Sequence, residues 1–306
     1  MKKNIFYIFI LLHFNVQSQD VDTISVDPKT FDYSKVDSIA LNFNNSDFKT
    51  IEDLSHALTV GLETEHEKFR VLFRWVADNI EYNLGSSNTD PKAIVKKKKA
   101  VCAGYSSLLK SLCDYAGIEI QIIDGTAKSF PEDIGLTLKK TNHAWNAVNL
   151  YGKWYLVDAT WAAGSYDLKK RIFYKHYNET WFLSDPKYFA LLHHPKESKW
   201  QLLKPLYKKR LFRKTPIFYP LYKKYGMQNL ECMKGKIGNE LKIKFTSDTE
   251  IKDATILIED TDTTYTPSII KHDGGKYEIK YKFKKSVKGG FFLFLNGNVI
   301  LGFWKK

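Results

Sequence analysis

The feature that most constrains this chain is an amphipathic helix that begins with a cysteine. In residues 100–118, Tyr105, Leu108, Leu109, Leu112 and Ala116 recur on one face at helical spacing. Gly117 supplies a C-terminal stop. Such a helix must bury that face against a neighbouring layer. Cys102 then sits at the first turn, where unpaired backbone N–H groups and the positive end of the helix dipole favour a thiolate. A thiolate in that position is a nucleophile. The plainer alternative is a buried structural cysteine, because free Cys is among the most buried residue types.

A second stretch gives that cysteine partners. In residues 143–161, aromatic and β-branched residues flank Tyr151-Gly152-Lys153, which predicts a β-hairpin. His143 and Asp158 lie 15 positions apart, an odd separation. A two-residue turn pairs residues whose numbers sum to an odd number, and side chains alternate along each strand. Any such register puts His143 and Asp158 on one face of the hairpin. A carboxylate beside an imidazole fixes its tautomer and favours its charged form. Cys102, His143 and Asp158 are therefore the candidate catalytic residues of a thiol acyl-transfer enzyme.

These stretches resemble the transglutaminase-like superfamily, a branch of the papain-like thiol fold, and within it the kyphoscoliosis-peptidase-like group. Four segments carry the resemblance. Residues 74–82, Arg-Trp-Val-Ala-Asp-Asn-Ile-Glu-Tyr, resemble the helix leading into the site. Val101-Cys102-Ala103-Gly104-Tyr105-Ser106 resembles the nucleophile helix. His143-Ala144-Trp145-Asn146 and residues 154–161 resemble the His and Asp strands. Phe182-Leu183-Ser184-Asp185-Pro186, His194-Pro195 and Trp200-Gln201-Leu202-Leu203 resemble a distal signature. The family usually has Gly where this chain has Ala100, and Ala resists positive φ, so a slightly different turn into the helix is expected. The resemblance implies attack of Cys102 on an amide carbonyl, with His143 moving the proton and Asp158 orienting it. It implies an enzyme, either a cysteine peptidase or a protein-glutamine acyltransferase, and does not separate hydrolysis from transamidation. It also offers Trp75 as an upstream candidate near the oxyanion, against the plainer reading that Trp75 packs. A non-catalytic protein-binding module on the same fold is the alternative function.

The remaining organisation follows from composition. Lys2 and Lys3 precede about ten apolar residues, and Val16-Gln17-Ser18 offers small residues at cleavage positions. Residues 1–18 thus read as a signal peptide, too short to span a bilayer, with a mature end near Gln19 and a secreted or periplasmic protein. Export argues against nucleic acid as the partner of a chain of net charge +13. Cys102, Cys113 and Cys232 are too few for a disulfide scaffold. Cys102 and Cys113 lie about 16 Å apart on one helix, beyond disulfide reach; Cys113 reads as core, and a Cys113–Cys232 bond carries little weight. No cofactor or metal is expected: Cys102, His143 and Asp158 could make a three-ligand site, but no metal-ligand spacing accompanies them.

Along the chain, residues 19–50 read as an extended lead-in, with a turn cluster at Asn44-Asn45-Ser46-Asp47. Residues 51–84 read as helical, with Phe69, Leu72, Phe73 and Val76 on one face. Lys96 to Lys99 read as a solvated face. His193-His194 reads as structural. The aromatics of residues 166–204 read mainly as packing, and residues 125–140 as a possible cleft rim. Residues 205–230, basic and proline-bearing, read as a linker or a strapping segment between domains. Residues 231–306 carry short alternating strands between Gly-rich turns and read as a small Ig-like β-sandwich with no catalytic cluster. The expected fold is therefore α+β, a papain-like transglutaminase core over residues 51–204 followed by an all-β domain. A protein or peptide substrate is the expected partner.

Overall fold

The structure is a computed structural model that describes residues 27–43, 48–137, 140–228, 234–259, 261 and 263–306. The signal peptide and mature end expected from the sequence, the turn cluster at residues 44–47 and Cys232 lie outside the described residues. Contacts divide the chain into two units, Met1–Phe31 and Asp32–Lys306. The described part of the first is a turn closed by Thr30 N–H donating to the Asp27 carbonyl at 2.9 Å. The second unit carries everything that follows.

It begins with helices α1 (Ser34–Asn42), α2 (Ile51–Thr59) and α3 (Glu65–Asn79). The first is a correction, since residues 34–42 are helical rather than extended. Val36 and Ala40, one turn apart, bury one face of α1, and Asp37 on it meets two arginines of α3. Both Asp37 oxygens accept from Arg70, at 2.6 and 2.7 Å, and Arg74 adds a third bond at 2.8 Å. The Arg70 guanidinium also lies 4.5 Å from the centre of the Phe182 ring. This fork is planar and charge-assisted, and burying it fixes α1 in one place. Helices α2 and α3 start where the sequence writes a capping box: Thr50 with Asp53, and Thr64 with Glu67. Helix α3 is buried on almost every side, including Trp75 at 1% exposure. Trp75 is therefore a core packing residue rather than a cleft residue.

Next come β1 (Glu81–Tyr82), α4 (Pro91–Lys97), β2 (Lys99–Ala100) and α5 (Cys102–Tyr115). Strands β1 and β2 pair in parallel, Tyr82 opposite Ala100. Lys96 to Lys99 are exposed, as a solvated face requires. Helix α5 ends in a Schellman motif. Gly117 takes φ +72°, its N–H bonds the Asp114 carbonyl, and Ile118 N–H bonds the Cys113 carbonyl. Tyr105, Leu108, Leu109, Leu112 and Cys113 are fully buried. Burying each large side chain contributes about 2 kcal/mol.

That face packs on an antiparallel sheet of β3 (Ile120–Ala127), β4 (His143–Leu150), β5 (Lys153–Val157) and, after helix α6 (Ala159–Ala163), hairpin β6 (Gly164–Asp167) and β7 (Ile172–Lys175), and helix α7 (Pro186–Leu192), a short strand β8 (His193–Pro195). The sheet order is β5-β4-β3-β8. The predicted hairpin is β4–β5. Its loop is two residues, Tyr151 and Gly152, with φ of 53° and 79°, the conformation of a type I′ turn. Asn146 pairs with Val157, so the register sum is odd and the parity argument holds.

Residues 205–230 are more than a connector. They contain α8 (Lys209–Lys214), β9 (Ile217–Phe218) and α9 (Leu221–Lys224), with Phe212, Ile217 and Phe218 buried. Lys128, just past the end of β3 and fully buried, donates to the Thr215 carbonyl and hydroxyl at 3.0 Å each. Burial pushes its ammonium pKa down to about 7, against the raising effect of Asp133. On the other side β9 pairs with the last strand of the chain.

The C-terminal strands are β10 (Lys236–Ile237), β11 (Glu240–Thr246), β12 (Ala254–Ile258), β13 (Thr264–Tyr265), β14 (Ser268–His272), β15 (Lys276–Lys282), β16 (Gly289–Leu295) and β17 (Asn298–Lys305). They form two sheets, β10-β17-β16-β12-β13 with β9 added at β17, and β11-β15-β14. Alternation decides what faces inward: Leu241, Ile243 and Phe245 on one sheet, Ile256, Ile258, Phe291 and Leu293 on the other. Phe283 meets Phe291 across the gap, ring centres 5.0 Å apart.

Candidate functional site

Each of the three residues singled out in the sequence is placed by a different element. Cys102 is the first residue of α5, and Val101 before it is extended, with φ −95°. The first turn of α5 sits tightly on its surroundings. A Cβ on Gly104 would come within 2.8 Å of the Ala100 Cβ and 2.9 Å of the Asn88 carbonyl oxygen, so glycine is required there. Ala100 lies in β2 and is not in the left-handed region, so alanine fits it without strain. Asn146 on β4 holds the helix to the sheet through a bond to the Ser106 carbonyl at 3.2 Å.

His143 opens β4. Asn142 just before it bonds both the N–H and the carbonyl of Ala127, at 2.8 and 3.1 Å, which fixes where the strand begins. Asp158 follows β5 and is the N-cap of α6. Its Oδ1 accepts from Trp161 N–H at 3.0 Å. Its Oδ2 accepts from His143 Nε2 at 2.7 Å and from His193 Nε2 at 3.0 Å. The carboxylate is fully buried and takes three N–H donors.

Three charges are tuned by this arrangement. Burial disfavours a charged Asp158, but the charge of His143 and the bonds from His143 and His193 hold its carboxyl well below the usual range. Burial disfavours imidazolium at His143 as well. The Asp158 carboxylate and the Cys102 thiol outweigh it and raise His143 to about 10. Burial pushes the Cys102 thiol up, yet a hydrogen bond to His143, its charge and the Ala144 N–H bring it below its ordinary value. Because Nε2 of His143 is held by Asp158, Nδ1 is the nitrogen left for Cys102. Cys113, fully buried, is pushed the other way, well above an ordinary thiol. His193 is held neutral, its pKa lowered to about 4, burial outweighing its bond to Asp158.

The sequence marks His193 as structural rather than as part of the site, and the structure places it on Asp158. It reaches Asp158 because β8 pairs with β3, Ala127 opposite His193, which no local spacing announces. Phe189 stacks on it at 3.9 Å and Trp161 lies 4.4 Å away, so the group is walled by aromatic rings. Tyr82 ends the segment that resembles the helix leading into the site, but it lies in strand β1 rather than in a helix. The β1–β2 pairing carries it alongside the approach to Cys102. Burial first, then the negative charges of Cys102 and Asp158, raise its phenol to about 12, so it stays a neutral donor. A cleft of about 460 Å³ opens here, and Tyr82, His143 and Trp161 line it while Cys102 does not. As for metals, the ligand atoms of His143, Asp158 and His193 lie within 4.8 Å of one another. That set has His193 where the sequence suggested Cys102. Both imidazoles direct Nε2 at Asp158, so a cation would have to displace two hydrogen bonds.

No helix among the described residues is long and apolar enough to cross a membrane. Residues 52–159 match the core of the transglutaminase-like superfamily. The chain is 34% identical over 162 residues to kyphoscoliosis peptidase of Homo sapiens, a match covering 51% of this chain and 24% of that protein. It is 30% identical over 223 residues to Hillarin of Drosophila melanogaster, covering 67% of this chain and 27% of that protein. This chain thus spans about a quarter of the length of these curated relatives. Among solved structures, a TGase crystal structure aligns at 19% identity with a TM-score of 0.29, covering 53% of this chain and 40% of that one. Residues 52–159 are thus a transglutaminase-like core, and about half of this chain is similar to kyphoscoliosis peptidase.

Proposed function

We propose that this protein is a thiol acyl-transfer enzyme acting on amide bonds of protein or peptide substrates, with Cys102 as nucleophile, His143 as acid and base, and Asp158 as the group that orients His143. What supports this most is the lowered thiol: Cys102 is largely withdrawn from water, yet its charged form is favoured, and the favouring group is an imidazole held at 2.7 Å by a buried carboxylate. The Cys102 sulfur attacks the amide carbonyl carbon, and the carbonyl π pair moves to oxygen. The Cys102 N–H at the start of α5 and the Tyr82 hydroxyl donate to that oxyanion. His143 Nδ1–H then passes its proton to the leaving nitrogen as the C–N bond breaks, leaving a thioester. Water or an amine, deprotonated by His143, attacks the thioester and releases an acid or a new amide. Thiolate and imidazolium are restored.

The charged, then apolar, start of the chain supports placing this activity outside the cytoplasm. Two sheets, antiparallel except where β10 pairs β17 in parallel, support reading the C-terminal strands as an Ig-like sandwich. Incubating the purified chain with a short peptide whose glutamine is replaced by a chloromethyl ketone, followed by peptide mapping, tests the chemistry. One label is expected, on Cys102, and changing His143→Ala should abolish it. No label, or a label on Cys113, would instead favour a non-catalytic binding module.

A further inference from the structure

We propose that the C-terminal sheet is part of the substrate site. Phe292 on β16 and Tyr219 after β9 form the far wall of the cleft that opens at His143, and that wall takes a bulky apolar side chain of the polypeptide substrate. This rests on the acyl-transfer reading for the identity of the occupant. The cleft runs continuously from Tyr82, His143 and Trp161 to Tyr219, Phe292 and Glu259. Two parts of the chain far apart in sequence therefore share one cavity. Its volume of about 460 Å³ falls within the range of sites that enclose a ligand of several residues' bulk.

The far wall is built, not incidental. Tyr219 N–H bonds the Ile300 carbonyl of β17 at 3.0 Å, and β9 just before it pairs with β17, Ile217 opposite Gly302. The Tyr219 and Phe292 rings lie 6.0 Å apart. Tyr219 is held un-ionised, by burial first and then by Glu259, Glu132 and Asp133, so it offers an aromatic face. The near rim carries a second, independent sign of an apolar occupant. Leu84 and Leu168 both line the cleft and remain 53% and 50% exposed, and Tyr174, 44% exposed, lines the adjoining shallow groove with Leu168. Large apolar side chains left open to water and gathered around one cavity mark a binding surface. Hairpin β6–β7, which carries Leu168, is set by Gly164. A Cβ there would lie 2.2 Å from the Tyr174 carbonyl oxygen.

Binding can be measured without chemistry. The probes are fluorescein-labelled nonapeptides of Gly and Ala with a central Gln and a Phe placed two to five residues to either side, alongside an all-Gly/Ala control. The protein is the full chain carrying Cys102→Ala, and the readout is fluorescence anisotropy. At least one Phe position should bind about tenfold tighter than the control, which corresponds to about 1.4 kcal/mol. Adding Phe292→Ala or Tyr219→Ala should remove that preference, and adding Leu168→Ala should weaken it. In the cysteine-bearing chain, Phe292→Ala should leave labelling of Cys102 by iodoacetamide unchanged, which separates this site from the thiol chemistry. No preference for any Phe position, or a preference that survives both far-wall changes, overturns the proposal. Failure of Cys102 to label, with the Phe preference intact, would instead count against the acyl-transfer reading alone.

Discussion

Asp158→Asn should fold normally and lower turnover by about 10³- to 10⁴-fold, the scale seen when a triad carboxylate is neutralised. The cause is a count of donors. Asp158 accepts from Trp161 N–H, His143 Nε2 and His193 Nε2. Asparagine has one carbonyl oxygen and an NH₂ that only donates. If the oxygen keeps the N-cap, as Asn does well, the NH₂ faces the imidazoles. Neutral His143 must then accept at Nε2 and carry its proton on Nδ1, the nitrogen meant for the thiol. The charge that raises His143 is lost as well. Steady-state kinetics on a peptide amide, with circular dichroism to check the fold, measures both halves. Turnover within threefold of wild type, with the fold intact, would mean that Asp158 does not set the state of His143.

The second large effect concerns Tyr82. Tyr82→Phe removes one hydroxyl and leaves the ring that meets Tyr166 at 5.6 Å. If that hydroxyl donates to the oxyanion, kcat should fall about 10²-fold or more while KM stays near wild type, because the donor acts where charge develops. Alkylation of Cys102 by a small reagent should hardly change, since no oxyanion forms in that reaction. An unchanged kcat, or a rise in KM alone, would give Tyr82 a role in the cleft wall only.

The contrast between residues that were legible in the sequence and those that were not has a physical basis. Cys102, its helix and the Gly117 stop are local: a period of 3.6 and one left-handed residue specify them. The His143–Asp158 pairing is also local, because a two-residue turn fixes the parity of the hairpin regardless of where the turn is centred. His193 and Tyr82 are different. One arrives through β8 joining β3, the other through β1 joining β2, and each pairing closes a long loop that no short pattern encodes. Helix α1 is not legible locally because it is short and buries only Val36 and Ala40 while Ile39 and Leu41 stay exposed, and its anchor is Asp37 meeting Arg70 and Arg74 over thirty residues later. The segment at residues 205–230 looked like a connector because its prolines and basic residues are conspicuous, while the contacts that hold it, Thr215 with Lys128 and β9 with β17, come from distant parts of the chain.

The central claim is that Cys102 and His143 stand as thiolate and imidazolium around neutral pH. The pair fills the window above the lowered thiol pKa and below about 10, where His143 loses its proton. The most direct measurement is the rate of Cys102 alkylation by iodoacetamide between pH 5 and 10, read by mass spectrometry. Reactivity should persist below neutrality, with its inflection well under the ordinary thiol value of about 8.5. In His143→Ala, burial acts unopposed by imidazolium, so the inflection should move above that value. Cys113 should stay unlabelled throughout. A wild-type inflection at or above about 8.5, unmoved by His143→Ala, would contradict the account.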